Sequence, residues 1–229
     1  MDESFGIAVF SLVVFLFSTV CHEAAHAIAA LRLGDKTAYL NGQVTLNPWP
    51  HIRQEPFGLG VLPLISMVLN LQSGLPGVIG FASAPFDPYW AMRNPKRAAW
   101  MAMAGPGANF GLALFAAVAM KVGVSMGLFQ ISHNWRLATG TTDLAEGVAL
   151  FLSVLFFENL LLGVWNMLPI PPMDGFSMIL FVLPEERTTW FFQIRQQVGM
   201  MFPFLLLGLS SYFWTFFTPI FLTVRGWVF

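Results

Sequence analysis

Residues 4–31 read SFGIAVFSLVVFLFSTVCHEAAHAIAAL, and the only formally charged side chain among them is Glu23. A helix rises about 1.5 Å per residue, so a run of this length spans roughly 40 Å, more than the hydrocarbon core of a bilayer at about 30 Å. Arg32, Gly34, Asp35 and Lys36 then end the run as an interface would. This stretch reads as a transmembrane helix, and it carries His22-Glu23-Ala24-Ala25-His26 near its C-terminal end. Ala27-Ile28-Ala29 has the small-residue form of a signal cleavage site, but the charges ahead of the run are Asp2 and Glu3, not a basic leader. The helix is expected to stay in the chain.

Residues four apart share a helix face, so both imidazoles can reach one metal ion, with Glu23 placed beside the first to handle a proton. Two histidines and a carboxylate are costly in an apolar span unless they are paired or bind a metal. Catalytic zinc takes three protein ligands and keeps one open position, where it lowers the pKa of water to about 7. The pattern predicts one zinc per chain held by His22 and His26, with Glu23 as general base. Cys21 points about 100° away from His22 on an ideal helix and stays outside the shell.

The rest of the chain fits the same setting. Hydrophobic residues make up 56% and charged residues 10%, well below the roughly 25% charged of soluble domains. A net charge of −1 without a basic stripe excludes a nucleic-acid partner, and the single cysteine excludes an intramolecular disulfide. Working outward, residues 38–46 alternate like a short strand, with Ala38, Leu40, Val44 and Leu46 on one side. Residues 57–82 are apolar but broken by Pro63, Gly74 and Pro76. Further helices are expected over 98–122, 143–168 and 198–224, with a polar loop over 123–142. The fold class that follows is an all-α polytopic membrane protein with about four full transmembrane helices. A re-entrant or hairpin apolar segment and a short strand-like membrane-associated segment complete a single domain over 1–229.

The third ligand should be a carboxylate or histidine at the same depth. Asp174 follows Pro169, Pro171 and Pro172, which force an extended chain beyond a helix end. Taken alone, Asp174-Gly175 reads as a turn; beside the histidines it reads as the third ligand. Asn109 lies in Gly105-Pro106-Gly107-Ala108-Asn109, which fits close helix approach as well as a functional role. Glu158, Asn159 and Asn166 read as interhelical hydrogen-bonding groups, and His51 and His133 as solvated or interfacial residues.

Four blocks in order resemble the site-2 proteases, intramembrane zinc metallopeptidases. HEAAH matches their HExxH, and NGQVTLNPWPH (41–51) resembles the segment that follows it in compact bacterial and archaeal members. IGFASAPFDPYWAMRNPKRAAWMAMAGPGAN (79–109) resembles their connector and GPxxN helix, and NLLLGVWNMLPIPPMDG (159–175) their NxxPxxPxDG motif. The resemblance runs to about Pro184 and is to the compact branch without PDZ or CBS domains. It implies that Asp174 is the third zinc ligand and that Asn109 contacts the substrate or the oxyanion. The substrate it implies is a membrane protein with a transmembrane helix, cut within a bacterial or archaeal cell membrane. Two departures bear on substrate choice: His51-Ile52-Arg53-Gln54 where members often read HIDP, and Ala82-Ser83-Ala84-Pro85 where they read AKPV.

Topology follows from the chemistry. His22 and His26 near the end of the first helix can meet Asp174 only if residues 57–82 do not make a net crossing. Lys and Arg agree: Arg32, Lys36 and Arg53 fall in one connector and Arg93, Lys96 and Arg97 in the next, against Lys121 and Arg136 in the loop between. Both connectors are expected in the cytoplasm, with the active site toward that side and the N-terminus outside. Two other classes compete, a non-catalytic adaptor and a metal transporter. An adaptor would show loss of Glu23 or a ligand, and a transporter would spread its ligands over many depths.

Overall fold

The computed structural model describes residues 3–71, 76–199 and 202–228. Asp2 and the expected break at Gly74 lie outside them, as do residues 200 and 201 of the expected final helix. In chain order the helices begin with α1 (Glu3–Leu33), α2 (Thr37–Leu40) and α3 (Pro48–Gln54). A π-helical turn, Pro56–Val61, leads into α4 (Leu62–Asn70). Then come α5 (Pro88–Arg93), α6 (Pro95–Ser125), α7 (Asp143–Asn166), α8 (Asp174–Met178), α9 (Thr188–Gly199) and α10 (Phe202–Val228). A two-stranded antiparallel ribbon, β1 (Phe129–Ile131) with β2 (Ala138–Gly140), pairs Gln130 with Thr139.

Three helices, 4–33, 95–125 and 143–166, are long and apolar enough to cross a membrane. They pack on one another along their length. One core joins Val14 of α1, Ala116 and Met120 of α6, Val154 and Phe156 of α7, and Phe217 of α10. A second core lies at the other end of α1 and joins Ala30 to Ala98, Ala99, Leu180 and Phe191. The end of α1 and the start of α6 therefore share one face of the molecule.

The apolar stretch between them is a hairpin, as expected. Its first arm is the π turn plus α4, and residues 76–87 return alongside it without helix or strand. The arms are tied by Phe81 N–H to the Gly58 carbonyl (3.0 Å), Ile79 N–H to Ser66 Oγ (3.0 Å) and Asn70 Nδ2 to the Gly77 carbonyl (2.9 Å). Two glycines permit the approach: a Cβ on Gly58 would strike Phe81, and one on Gly80 would strike the Phe15 ring.

Other expectations need correction. Residues 38–46 form no strand. Asp35 Oδ1 accepts from Thr37 N–H and Oγ1, which starts the turn α2, and Gly42 at φ 70° then reverses the chain. The supposed apolar face does not exist, since Ala38 is buried but Leu40 is 78% exposed. The loop over 123–142 is not structureless, because it holds β1 and β2, clasped by the Arg136–Glu146 ion pair. His51 is not solvated: Asn47 caps α3 through Trp49 N–H, and the turn buries His51 with Nε2 against the Thr45 carbonyl (3.0 Å). Helix begins at Thr188, ten residues ahead of the expected start at 198.

Candidate metal centre

The site is assembled by three elements that meet at one depth. His22 and His26 lie on the inward face of α1 and are both buried. Asp174 opens α8, brought back under the end of α7 by a tight passage. A Cβ at Gly175 would run into the Met167 and Leu168 carbonyls, so the chain can turn this closely only with glycine there. Asp174 Oδ2 then lies 3.1 Å from His22 Nε2 and 3.2 Å from His26 Nε2, and the two Nε2 atoms are 3.0 Å apart.

The outer nitrogens decide what this triangle is. His22 Nδ1 donates to Asn109 Oδ1 (2.6 Å) and His26 Nδ1 donates to the Met101 carbonyl (2.8 Å), so each proton sits on the outside and each Nε2 lone pair points inward. Two imidazole lone pairs and a carboxylate oxygen at these separations repel one another unless a cation lies among them. Tetrahedral zinc with bonds of 2.0–2.1 Å separates its ligands by roughly 3.3 Å, close to the spacing found. The donor set therefore fits zinc, and His22, His26 and Asp174 form the one group able to hold a metal among the described residues.

Asn109 is fully buried on α6, and both ends of its amide are engaged. Oδ1 accepts from His22, and Nδ2 donates to Asn159 Oδ1 (3.0 Å), whose own Nδ2 donates to Ser18 Oγ (2.8 Å). A relay of side chains from α1, α6 and α7 thus closes on the first ligand. Gly105, one turn before Asn109, faces the ligands so closely that a Cβ would collide with both Nε2 atoms. Glu158, the neighbour of Asn159, is buried on α7 with neither oxygen hydrogen-bonded.

The open side of the triangle faces a cavity of about 330 Å³. Glu23 lines it beside His22 and His26, so the carboxylate and the metal ligands share one space. Its far wall is the run from Gly80 to Phe86. Arg195 of α9 also enters the cavity, held by Ser177 of α8 (Nη1 to Oγ, 2.9 Å) and laid over the Phe86 ring at 5.2 Å. Gly105, Ser177 and Arg195 were not marked by the sequence. Gly105 stood inside a quoted motif without a role, while Arg195 lies beyond every recognisable block and has no local pattern.

Comparison with known proteins agrees with this chemistry. A family model described as peptidase family M50 matches residues 10–209. A candidate zinc metalloprotease of Bacillus subtilis, YwhC, is 28% identical over 174 residues, covering 76% of this chain and 68% of that protein. A candidate zinc metalloprotease of Mycobacterium tuberculosis, Rip2, is 32% identical over 174 residues, covering 76% and 57%. The chain thus spans little more than half the length of the mycobacterial relative. No solved structure gives a significant match to this chain.

Proposed function

We propose, from the premise that the chain belongs to peptidase family M50 and is a zinc metallopeptidase, that it hydrolyses peptide bonds in or beside transmembrane segments of other membrane proteins. One observation carries the reading: a zinc-fitting triad and a free carboxylate, Glu23, share a cavity between helices that are themselves long enough to span a bilayer.

His22, His26 and Asp174 would hold the zinc, which would supply a Lewis acid for the scissile carbonyl and lower the pKa of the attacking water. Glu23 takes the proton from that water and delivers it to the leaving amine. Asn109 acts by holding His22 in the Nδ1–H tautomer, with its ring fixed by the relay through Asn159 and Ser18. Its Nδ2 spends one N–H on Asn159 and keeps a second, so this positioning role stands beside the substrate or oxyanion contact expected from the motif.

A helical substrate hides its amides and must unwind to be cut. The far wall of the cavity offers the unwound segment a partner. Ile79 and Phe81 turn their N–H groups toward the hairpin, so by alternation Gly80 and Ala82 turn theirs the other way. That edge can pair with an extended substrate. In the same reading the protein is one domain with four crossings. α10 makes the fourth, because it runs from α9 on the site's face to Arg225, whose Nη2 donates to the Ser132 carbonyl in the loop after α6 (3.2 Å). The face carrying Arg32, Lys36 and Arg93 is cytoplasmic by its positive charge.

Co-expression with candidate single-span membrane proteins tests the reading. Fragments should accumulate with the unaltered chain and not with Glu23→Gln. Equal accumulation with both would remove Glu23 from the reaction.

A further inference from the structure

A second cation sits in this cavity, and the carboxylate that acts on it, Asp174, is already shared by the two histidines. Zinc carries +2, and Asp174 and Glu23 together carry −2, so the centre is balanced before Arg195 is counted. The Arg195 guanidinium, permanently charged, adds +1 to the same space. Its described contacts are neutral: Ser177 Oγ and the face of Phe86. No carboxylate lies within ion-pair distance of it among the described residues. One bond to Ser177 uses one of five N–H donors, and Phe86 fixes the plane, so the fork is oriented with donors to spare.

Its position selects among anions. Ser177 follows Asp174 by three residues on α8, so the anchor of the guanidinium lies about 4.5 Å along that helix axis from the third ligand's position. That offset is comparable with one residue's advance along an extended peptide, about 3.3 Å per residue. We infer that Arg195, backed by Ser177 and Phe86, is a specificity-determining residue that binds the carboxylate of an Asp or Glu flanking the scissile bond. The inference rests on the peptidase reading for the substrate's orientation, but its test needs no turnover.

The probes are two fluorescent single-span peptides, identical except for one Glu or Gln placed one to three residues from a Gly-Pro break at the site-side end of the apolar segment. Binding is measured by anisotropy in detergent to the zinc-loaded Glu23→Gln protein. It should bind the Glu peptide about tenfold or more tightly than the Gln peptide at one of the three positions. Arg195→Gln should bring that ratio to about one and leave the Gln peptide's affinity unchanged. Arg195→Lys should keep part of the preference, because charge survives while the fork is lost. Equal binding of both peptides by the protein that retains Arg195 overturns the inference, and this comparison does not depend on any Arg195 variant folding. A matching loss for both peptides in Arg195→Gln also overturns it, since the guanidinium would then only dock α9. Absence of cleavage by the unaltered chain would count against the peptidase reading and leave the binding ratio to be judged by itself.

Discussion

At the scale of single residues, the site works because each ligand is held from behind. His22 would be free to rotate or change tautomer without Asn109, and partners of this kind typically carry 10–100-fold in metal affinity. Asn109→Ala should therefore weaken zinc binding by about that factor, read by competition with a chelating indicator; unchanged affinity would make the 2.6 Å contact incidental. Gly105→Ala is expected to be worse than its size suggests, because the new methyl meets both Nε2 atoms. Stoichiometric zinc in that variant would show that the ligands can retreat. Glu23→Gln should keep zinc and lose a factor of about 10²–10⁴ in rate, the usual share of general acid–base catalysis. The four residues that the fold gathers around one cavity, His22, Glu23, His26 and Asp174, were proposed from the sequence, three of them through the local HExxH spacing and the fourth through a Pro-rich break followed by Asp-Gly. Arg195 could not be, since what gives it meaning is a contact with Ser177 and Phe86 that only folding creates.

At the scale of elements, the hairpin between α1 and α5 decides the outcome. Its prolines and glycines were visible and predicted a return without a crossing, which the cross-arm bonds at Gly58, Ser66 and Asn70 support. The strand over 38–46 failed for a physical reason. Alternation over a few residues fits a solvated turn equally well when a side-chain cap such as Asp35 and a left-handed glycine such as Gly42 are present. The described strands lie instead at Phe129–Ile131 and Ala138–Gly140, inside a stretch read as a polar loop. Close approach of the hairpin's arms makes a specific demand. Gly58→Val should lower the unfolding free energy by about 1–3 kcal/mol, as overpacking does, measured by denaturant unfolding in detergent. A value near zero would mean that the arms are not packed as described.

At the scale of the whole molecule, the chain places a polar, metal-binding centre where bilayer-length helices converge, and orientation follows from which loops share a face. In a Cys21→Ser background, single cysteines at Tyr39 and Arg93 should react with an impermeant thiol reagent from one side, and a cysteine at His133 from the other. Labelling of 39 and 93 from opposite sides would make the hairpin a crossing and separate Asp174 from the histidines. The central claim is that a zinc site in this fold cuts a peptide bond of a membrane-embedded segment. Its most direct test is mass-spectrometric mapping of the cut made in a single-span reporter co-reconstituted with the purified protein in liposomes. The account predicts one major cut within or at the edge of the apolar segment, abolished by a zinc chelator, restored by added zinc and absent with zinc-loaded Glu23→Gln. A cut confined to the reporter's soluble domain, or one that survives zinc removal, would contradict it.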